Sequence, residues 1–364
     1  MKHYTIAAAA LTAAAGTATA GGLDRSYTAI DALFETGNYA EVSLGFTSPD
    51  VTGSDLLGNQ ISNVADSYFT AGAALKIDFN EKLSMALIYD QPYGADTLYG
   101  GNPAATLLGG TKAKVESHGL TALVRLQVAD RWSVYGGPRF VNAEGEITLS
   151  GIAYGPASGS NFRFASTTGT GYVVGGAYEV PEIALRASLT YHSPVDLSMS
   201  TTESIGGGPA VATTTSTKTP ESWELAVQSG INQNTLVFGS VRYAKWDSFT
   251  LTPPTFGTNL ASLDDVTTWE LGVARRFSDK FSGSIAVSYE DTSGDDLVSP
   301  LGPTNGQTGI TVGGKYAIND QLDLSGGVRY TMLGNGIPQT ANTARGSFRD
   351  NNAISVGMKL GYSF

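Results

Sequence analysis

Few residues in this chain could do acid–base or nucleophilic work. Past His3 only His118 and His192 occur. His192 stands beside Ser193, but neighbours on an extended strand point to opposite faces, so they do not form a nucleophile and its base. The run Asp291-Thr292-Ser293-Gly294-Asp295-Asp296 partly matches a calcium loop, yet it lacks the spacing to a terminal Glu and reads as a solvated acidic loop. The absence of Cys removes thiolate nucleophiles, thiolate metal sites, disulfides and a lipid-modified N-terminal Cys. No catalytic, cofactor or metal site is predicted.

The remaining charges have a pattern of their own. Lys76, Arg125, Arg186, Glu224, Glu270, Arg329 and Lys359 sit within alternating segments, on the parity opposite to the large apolar residues. The last segment is the clearest: Ile354, Val356, Met358, Leu360, Tyr362 and Phe364 alternate with Ser355, Gly357, Lys359, Gly361 and Ser363. A strand with one apolar and one small or polar face suits a wall between lipid and a wet lumen, which takes about ten residues to cross. Charges on the other parity then face the lumen, because a charge facing lipid at mid-membrane costs about 2–4 kcal/mol. The terminal Phe364 is the kind of residue that barrel-insertion machinery reads, which makes that machinery an expected partner.

The N-terminus points to the same compartment. Lys2 and His3 precede an apolar stretch over residues 4–15, and Ala18-Thr19-Ala20 forms a processing site, so residues 1–20 read as a signal peptide and Gly21 as the mature start. As an anchor helix the stretch would fall short of the ~20 residues a bilayer requires. A net charge of -11 argues against nucleic acid, which needs clustered Lys and Arg. It fits a surface facing lipopolysaccharide and divalent cations. With 45 Gly and 17 Tyr among 364 residues, the composition favours strands, turns and membrane-interface positions over helices.

Six short polar turns divide the chain: Asn80-Glu81, Asp130-Arg131, Pro181-Glu182, Asn232-Gln233-Asn234, Asp279-Lys280 and Asn319-Asp320. Each separates two alternating runs, which marks tight hairpins. Six hairpins supply twelve strands. The strand over residues 39–47 and the final strand bring the total to fourteen, an even number as single-chain bacterial barrels require. The fold class is therefore all-β, a transmembrane antiparallel barrel of fourteen strands over residues 39–364. Long loops are expected near residues 49–67, 91–116, 151–169, 193–219, 248–266, 291–307 and 333–352. Tyr89, Trp132, Tyr191, Trp223, Trp246, Trp269, Tyr289, Tyr316, Tyr330 and Tyr362 fall near strand ends, where aromatic rings form girdles at the headgroups.

A barrel this wide is not filled by its own side chains, so it must be a channel, be plugged, or hold ligand. Residues 21–38 are the candidate plug, with Leu23, Tyr27, Ile30, Leu33 and Phe34 at roughly helical spacing; a loose or interfacial N-terminus is the alternative. Pro92, Tyr93 and Gly94 are the second candidate. Pro cannot donate to a ladder and Gly permits a kink, so the wall can open here; alternatively these residues simply begin a loop.

Several segments resemble the FadL and TodX family of outer-membrane transporters for long-chain fatty acids and hydrocarbons. Pro220-Glu221-Ser222-Trp223-Glu224-Leu225 and Tyr243-Ala244-Lys245-Trp246-Asp247-Ser248-Phe249 are similar to two of its strands. Phe46 to Gly53 is similar to its first strand and loop, and Gly176 to Glu179 with Ala187 to Ser193 to another hairpin. The resemblance implies a fourteen-stranded barrel with an N-terminal hatch. It also places Tyr93-Gly94 where the third strand kinks inward to let hydrophobic substrate leave sideways. Two departures stand out. The family's Asn-Pro-Ala hatch motif is missing, Asp31-Ala32-Leu33-Phe34-Glu35 leading straight into the first strand, and Leu149 and Pro253 stand where the fatty-acid transporters place basic groups. The expected function is passive transport of a hydrophobic small molecule by a monomer. A general diffusion porin is the alternative, and an outer-membrane lipid hydrolase a third option.

Overall fold

In the computed structural model, residues 23–26, 30–291 and 297–364 are described. The expected signal peptide, Tyr27 of the candidate plug and residues 292–296 of the acidic run lie outside them. Fourteen strands close into one antiparallel barrel. They are β1 (Tyr39–Asp50), β2 (Tyr68–Asn80), β3 in two halves (Leu83–Asp90 and Gly94–Leu98), β4 (Lys112–Ala129), β5 (Trp132–Leu149) and β6 (Ser160–Val180). There follow β7 in two halves (Leu185–His192 and Asp196–Ser204), β8 in two halves (Val211–Lys218 and Ser222–Asn232), β9 (Thr235–Ala244) and β10 (Val266–Arg276). The last four are β11 (Phe281–Glu290), β12 (Gln307–Ala317), β13 (Leu322–Leu333) and β14 (Asn351–Ser363). β14 pairs with β1 from Tyr39↔Ser363 to Asp50↔Asn352, which closes the sheet on itself.

Alternation decides which way each strand faces. On β14 and its neighbour β13, Met358 and Val328 are exposed on the outside while Ser355 and Arg329 are buried inside. The short turns reverse the chain with side-chain help: the amide oxygen of Asn80 accepts the N–H of Lys82 and Leu83, and that of Asn319 accepts those of Gln321 and Leu322. These are Asx turns, which polar turn residues favour. β4, β5 and β6 outlast the membrane. The outer ends of β4 and β5 carry the exposed pairs Lys112–Glu146 (3.4 Å) and Lys114–Glu116 (3.0 Å), charges that belong in water.

Two expectations are corrected. The Thr- and Ser-rich stretch of residues 193–219, expected as a loop, is mostly the outer halves of β7 and β8, paired from Asp196↔Lys218 to Glu203↔Val211. Its β-branched Thr residues favour a pleated ladder, and Pro194 and Pro220 interrupt the two strands where they would otherwise run on. Trp246 is not in a girdle. The chain turns inward through Trp246–Ser248 after β9, and the indole is buried in the lumen.

Candidate functional site

The hydrogen-bond ladder of the wall has a gap at β3. β2 and β3 pair from Asn80↔Leu83 up to Ala73↔Tyr89 and no further. Past the interruption at Gln91–Tyr93, the outer half of β3 pairs with β4, Gly94↔Glu116 to Leu98↔Lys112, and its other side meets residues 64–66 through the bridge Ala65↔Thr97. Residues 68–72 of β2 therefore pair only with β1, and among the described residues no ladder joins them to residues 91–95. Pro92 lacks the N–H that would continue the ladder. One group left over is met from the side, the Ala71 N–H donating to Oε1 of Gln91 at 2.7 Å. Phe69, on the outside of this stretch, is 76% exposed, which places the gap against lipid.

From within the lumen, residues 23–26 lie along this same edge. Asp24 forms an antiparallel bridge with Tyr93. The Gly94 N–H donates to the Leu23 carbonyl and the Arg25 N–H to the Pro92 carbonyl, both at 2.8 Å. The Arg25 guanidinium stacks 4.2 Å above the Tyr68 ring, spanning the gap from β3 to β2. Burial lowers its pKa, opposed by Tyr68, Asp96 and Glu116. Gly94 leaves room for the guanidinium in this position, since a Cβ there would stand 2.4 Å from Arg25 Nε. The Asp24 carboxylate reaches across the lumen, accepting Arg242 Nη1 at 3.0 Å, Arg242 Nη2 at 3.2 Å and Trp246 Nε1 at 3.1 Å.

Further along, the 3-10 turn Ile30–Phe34 packs inside the barrel, with Leu33 fully buried among Tyr39, Ala86, Leu123, Tyr135 and Val173. The lumen charges hold this turn. Phe34 lies between the guanidinium groups of Arg125 (4.7 Å) and Arg186 (4.5 Å) and edge-on to Tyr135. Asp31 pairs with Arg186 at 2.7 Å, while Lys76 donates to the carbonyls of Glu35 and Gly37 at 2.7 and 2.9 Å.

Outward of the gap lies an apolar chamber of about 100 Å³. Its walls include Leu23, Tyr93 and Ala95 beside the gap, Ala113, Ile147, Phe164, Leu197 and Met199 on the strands, and Trp246, Phe249 and Leu251 from the turn after β9. Among the described residues none of its lining is Lys or Arg. Leu301 and Ser299 separate it from a wider vestibule of about 460 Å³ among the outer loops, around Tyr154, Phe256 and Asn259. Glu203, fully buried at the outer end of β7, ties the roof down: its carboxylate accepts the N–H groups of Thr255 and Phe256 and the hydroxyl of Thr213. Glu203→Ala is expected to free the 253–257 loop at a cost of about 1–3 kcal/mol per stranded N–H, read as faster proteolysis at that loop in a barrel that stays folded.

Residues 36–364 match the family model described as outer membrane protein transport protein (OMPP1/FadL/TodX). The chain belongs to this family. It is an outer-membrane β-barrel of the FadL/TodX type. In fold it is similar to a Pseudomonas aeruginosa FadL homologue, with a TM-score of 0.72, 15% identity and coverage of 96% of this chain and 97% of that one. It is also similar to the P. putida toluene transporter TodX (0.67, 15%, covering 93% and 95%) and the Ralstonia pickettii toluene transporter TbuX (0.66, 14%, covering 97% of each). No curated protein sequence matches it.

Within this FadL/TodX barrel the residues singled out by sequence are widely distributed. Tyr93 and Leu23 meet at the chamber; Ile30, Leu33 and Phe34 meet Lys76, Arg125 and Arg186 further inward. Arg329 is buried against Ser288 on another part of the wall, and Glu224 and Glu270 lie half-buried on β8 and β10. His192 is buried, but the Ser193 hydroxyl is engaged by the Tyr172 N–H and the Pro194 carbonyl. Asp24, Arg25 and Arg242 are not distinguished by the sequence alone. The Asp24–Arg242 contact joins residues 218 positions apart, and neither belongs to a local motif.

Proposed function

We propose that this protein carries hydrophobic small molecules, long-chain fatty acids or hydrocarbons, passively across the outer membrane and releases them sideways into the bilayer. The observation that carries the reading is the apolar chamber abutting the unpaired edge at residues 68–72, with Tyr93 and Leu23 between them. An apolar molecule collected in the vestibule loses contact with water as it enters the chamber, gaining about 25 cal/mol for each Å² it buries. Displacement of residues 23–26 from the edge of β3 then opens a route to lipid that avoids the plugged inner lumen. No energy source is needed, since the bilayer is itself an apolar sink.

The experiment closes the gap reversibly. The chain has no Cys, so Ala71→Cys with Gln91→Cys gives two unique thiols on its two sides. Joined by a short reducible bifunctional thiol reagent, this variant is expected to lose most uptake of radiolabelled fatty acid and toluene, and to regain it on reduction. Undiminished uptake in the bridged, correctly folded protein would rule out sideways release.

A further inference from the structure

One short turn divides the chamber from the vestibule. Among the described residues, Ser299 and Leu301 are the two that line both cavities, so a molecule moving from one to the other passes them. The backbone of this turn is firmly held. The Gly302 N–H donates to the Ser299 carbonyl at 3.1 Å and the Leu301 N–H to the Ser299 hydroxyl at 3.2 Å, with Pro300 at the turn position that suits its fixed φ. At the tip, the Leu301 carbonyl accepts the hydroxyl of Thr97, on the outer half of β3, at 2.9 Å. At the foot, the Pro303 carbonyl packs so closely on Gly336 that a Cβ there would collide with it.

The Leu301 side chain is held in another way. It is buried in the same apolar cluster as Trp246, Leu251, Leu260 and Ala261, through contacts that have no preferred direction. Such a side chain can pass between staggered rotamers without breaking a hydrogen bond, whereas moving the backbone of the turn breaks the Thr97 bond and those within the turn. A molecule narrow enough to pass when Leu301 changes rotamer therefore meets a soft obstacle, and a wider one meets a hard one. The vestibule, at about 460 Å³, sets no comparable limit. The chamber, at about 100 Å³, is smaller than the about 150 Å³ of an engineered cavity that accepts benzene, so even a single ring must displace part of its lining.

We infer that Leu301 sets the largest cross-section admitted from the vestibule to the chamber, and that the Thr97 hydroxyl is the positioning group that holds it in the path. Unbranched chains and single rings pass this filter more readily than fused rings. The filter rests on the transport reading for its purpose, but access to the chamber is measured on purified protein, apart from uptake.

Because the chain has no Cys, Ala113→Cys places a single thiol on the chamber wall, and Thr258→Cys, in a second protein, a single thiol in the vestibule. Each purified barrel is treated with methyl, benzyl or 1-naphthylmethyl methanethiosulfonate, and loss of the thiol is followed in time. Rates at position 258 correct for the reagents' own reactivity and should not depend on residue 301. At position 113 the naphthylmethyl reagent is expected to lag far behind the methyl one. Leu301→Ala should speed it about ten-fold, the low end of what one methylene does in an apolar pocket, and leave the methyl rate unchanged. Leu301→Phe should slow the benzyl reagent, and Leu301→Met, which conserves volume, should behave as wild type. Thr97→Val, which keeps the shape and removes the hydroxyl, should fall between wild type and Leu301→Ala. Heat-modifiable gel mobility verifies that each variant is folded. A naphthylmethyl rate at position 113 that is the same in Leu301→Ala as in wild type, or a benzyl rate unchanged by Leu301→Phe, would overturn the filter. Labelling graded by size and dependent on residue 301, alongside failure of cellular uptake, would count against transport and leave the filter standing.

Discussion

Ala113→Phe is expected to reduce uptake of hydrophobic probes about ten-fold or more, which corresponds to only ~1.4 kcal/mol of added barrier. Ala113 is 1% exposed and faces the chamber from β4. The chamber measures about 100 Å³, whereas an engineered cavity that accepts benzene is about 150 Å³. A phenyl ring attached to this wall therefore takes the space a ligand would use. Overpacking costs about 1–3 kcal/mol, which the surrounding ladder tolerates, since β4 pairs with β3 and β5 on either side of this position. Leu120→Phe is the control, because Leu120 lies on the same strand with its side chain on the lipid-facing surface. Radiolabelled uptake with heat-modifiable mobility distinguishes blockage from misfolding. Wild-type uptake in folded Ala113→Phe would remove the chamber from the path.

The fold was legible because its determinants are local. Alternation over ten residues orients each strand, and an Asn at each of several turns sets a hairpin by bonding to backbone two and three residues ahead. The fourteen strands follow from those two signals alone. What escaped was whatever depends on the far side of the lumen. Trp246 occupies a strand end like the girdle residues, and only the inward turn after β9, with Asp24 waiting to accept its N–H, distinguishes it from Trp269. The outer halves of β7 and β8 were hidden because Thr, Ser and Pro are common to loops and to interrupted strands.

The same dependence on distance explains the gap. Pro92 announces a lost ladder bond by itself, but the sequence cannot say what covers the freed edge. The cover is a segment about seventy residues upstream, held by Arg242 from a strand much later in the chain. This arrangement also changes what a substitution at Gly94 would do. A larger side chain there collides with the outer part of the Arg25 side chain, which would have to swing off the Tyr68 ring.

Leu33→Ala combined with Phe34→Ala is expected to raise single-channel conductance several-fold while the barrel stays folded. The Ile30–Phe34 turn has five residues, too few for a helix to persist without tertiary contacts. Its hold therefore comes from side chains. Truncating a fully buried Leu costs about 2–5 kcal/mol, and each cation–π contact of Phe34 adds roughly 0.5–2 kcal/mol. The Asp31–Arg186 pair is partly exposed, and a pair of that kind contributes at most about 1 kcal/mol. Against the loss of both apolar anchors, the ion pair and the Lys76 bonds do not keep the turn docked. Arg125, Arg186 and Lys76 would then face open water, leaving a polar lumen that a fourteen-stranded wall is too wide to fill by itself. Planar-bilayer recordings read the change directly, and new protease cleavage between residues 30 and 38 reports undocking. Wild-type conductance alongside that cleavage would show that the turn does not obstruct the lumen, and the inner passage would then have to be closed by the charged side chains of the wall.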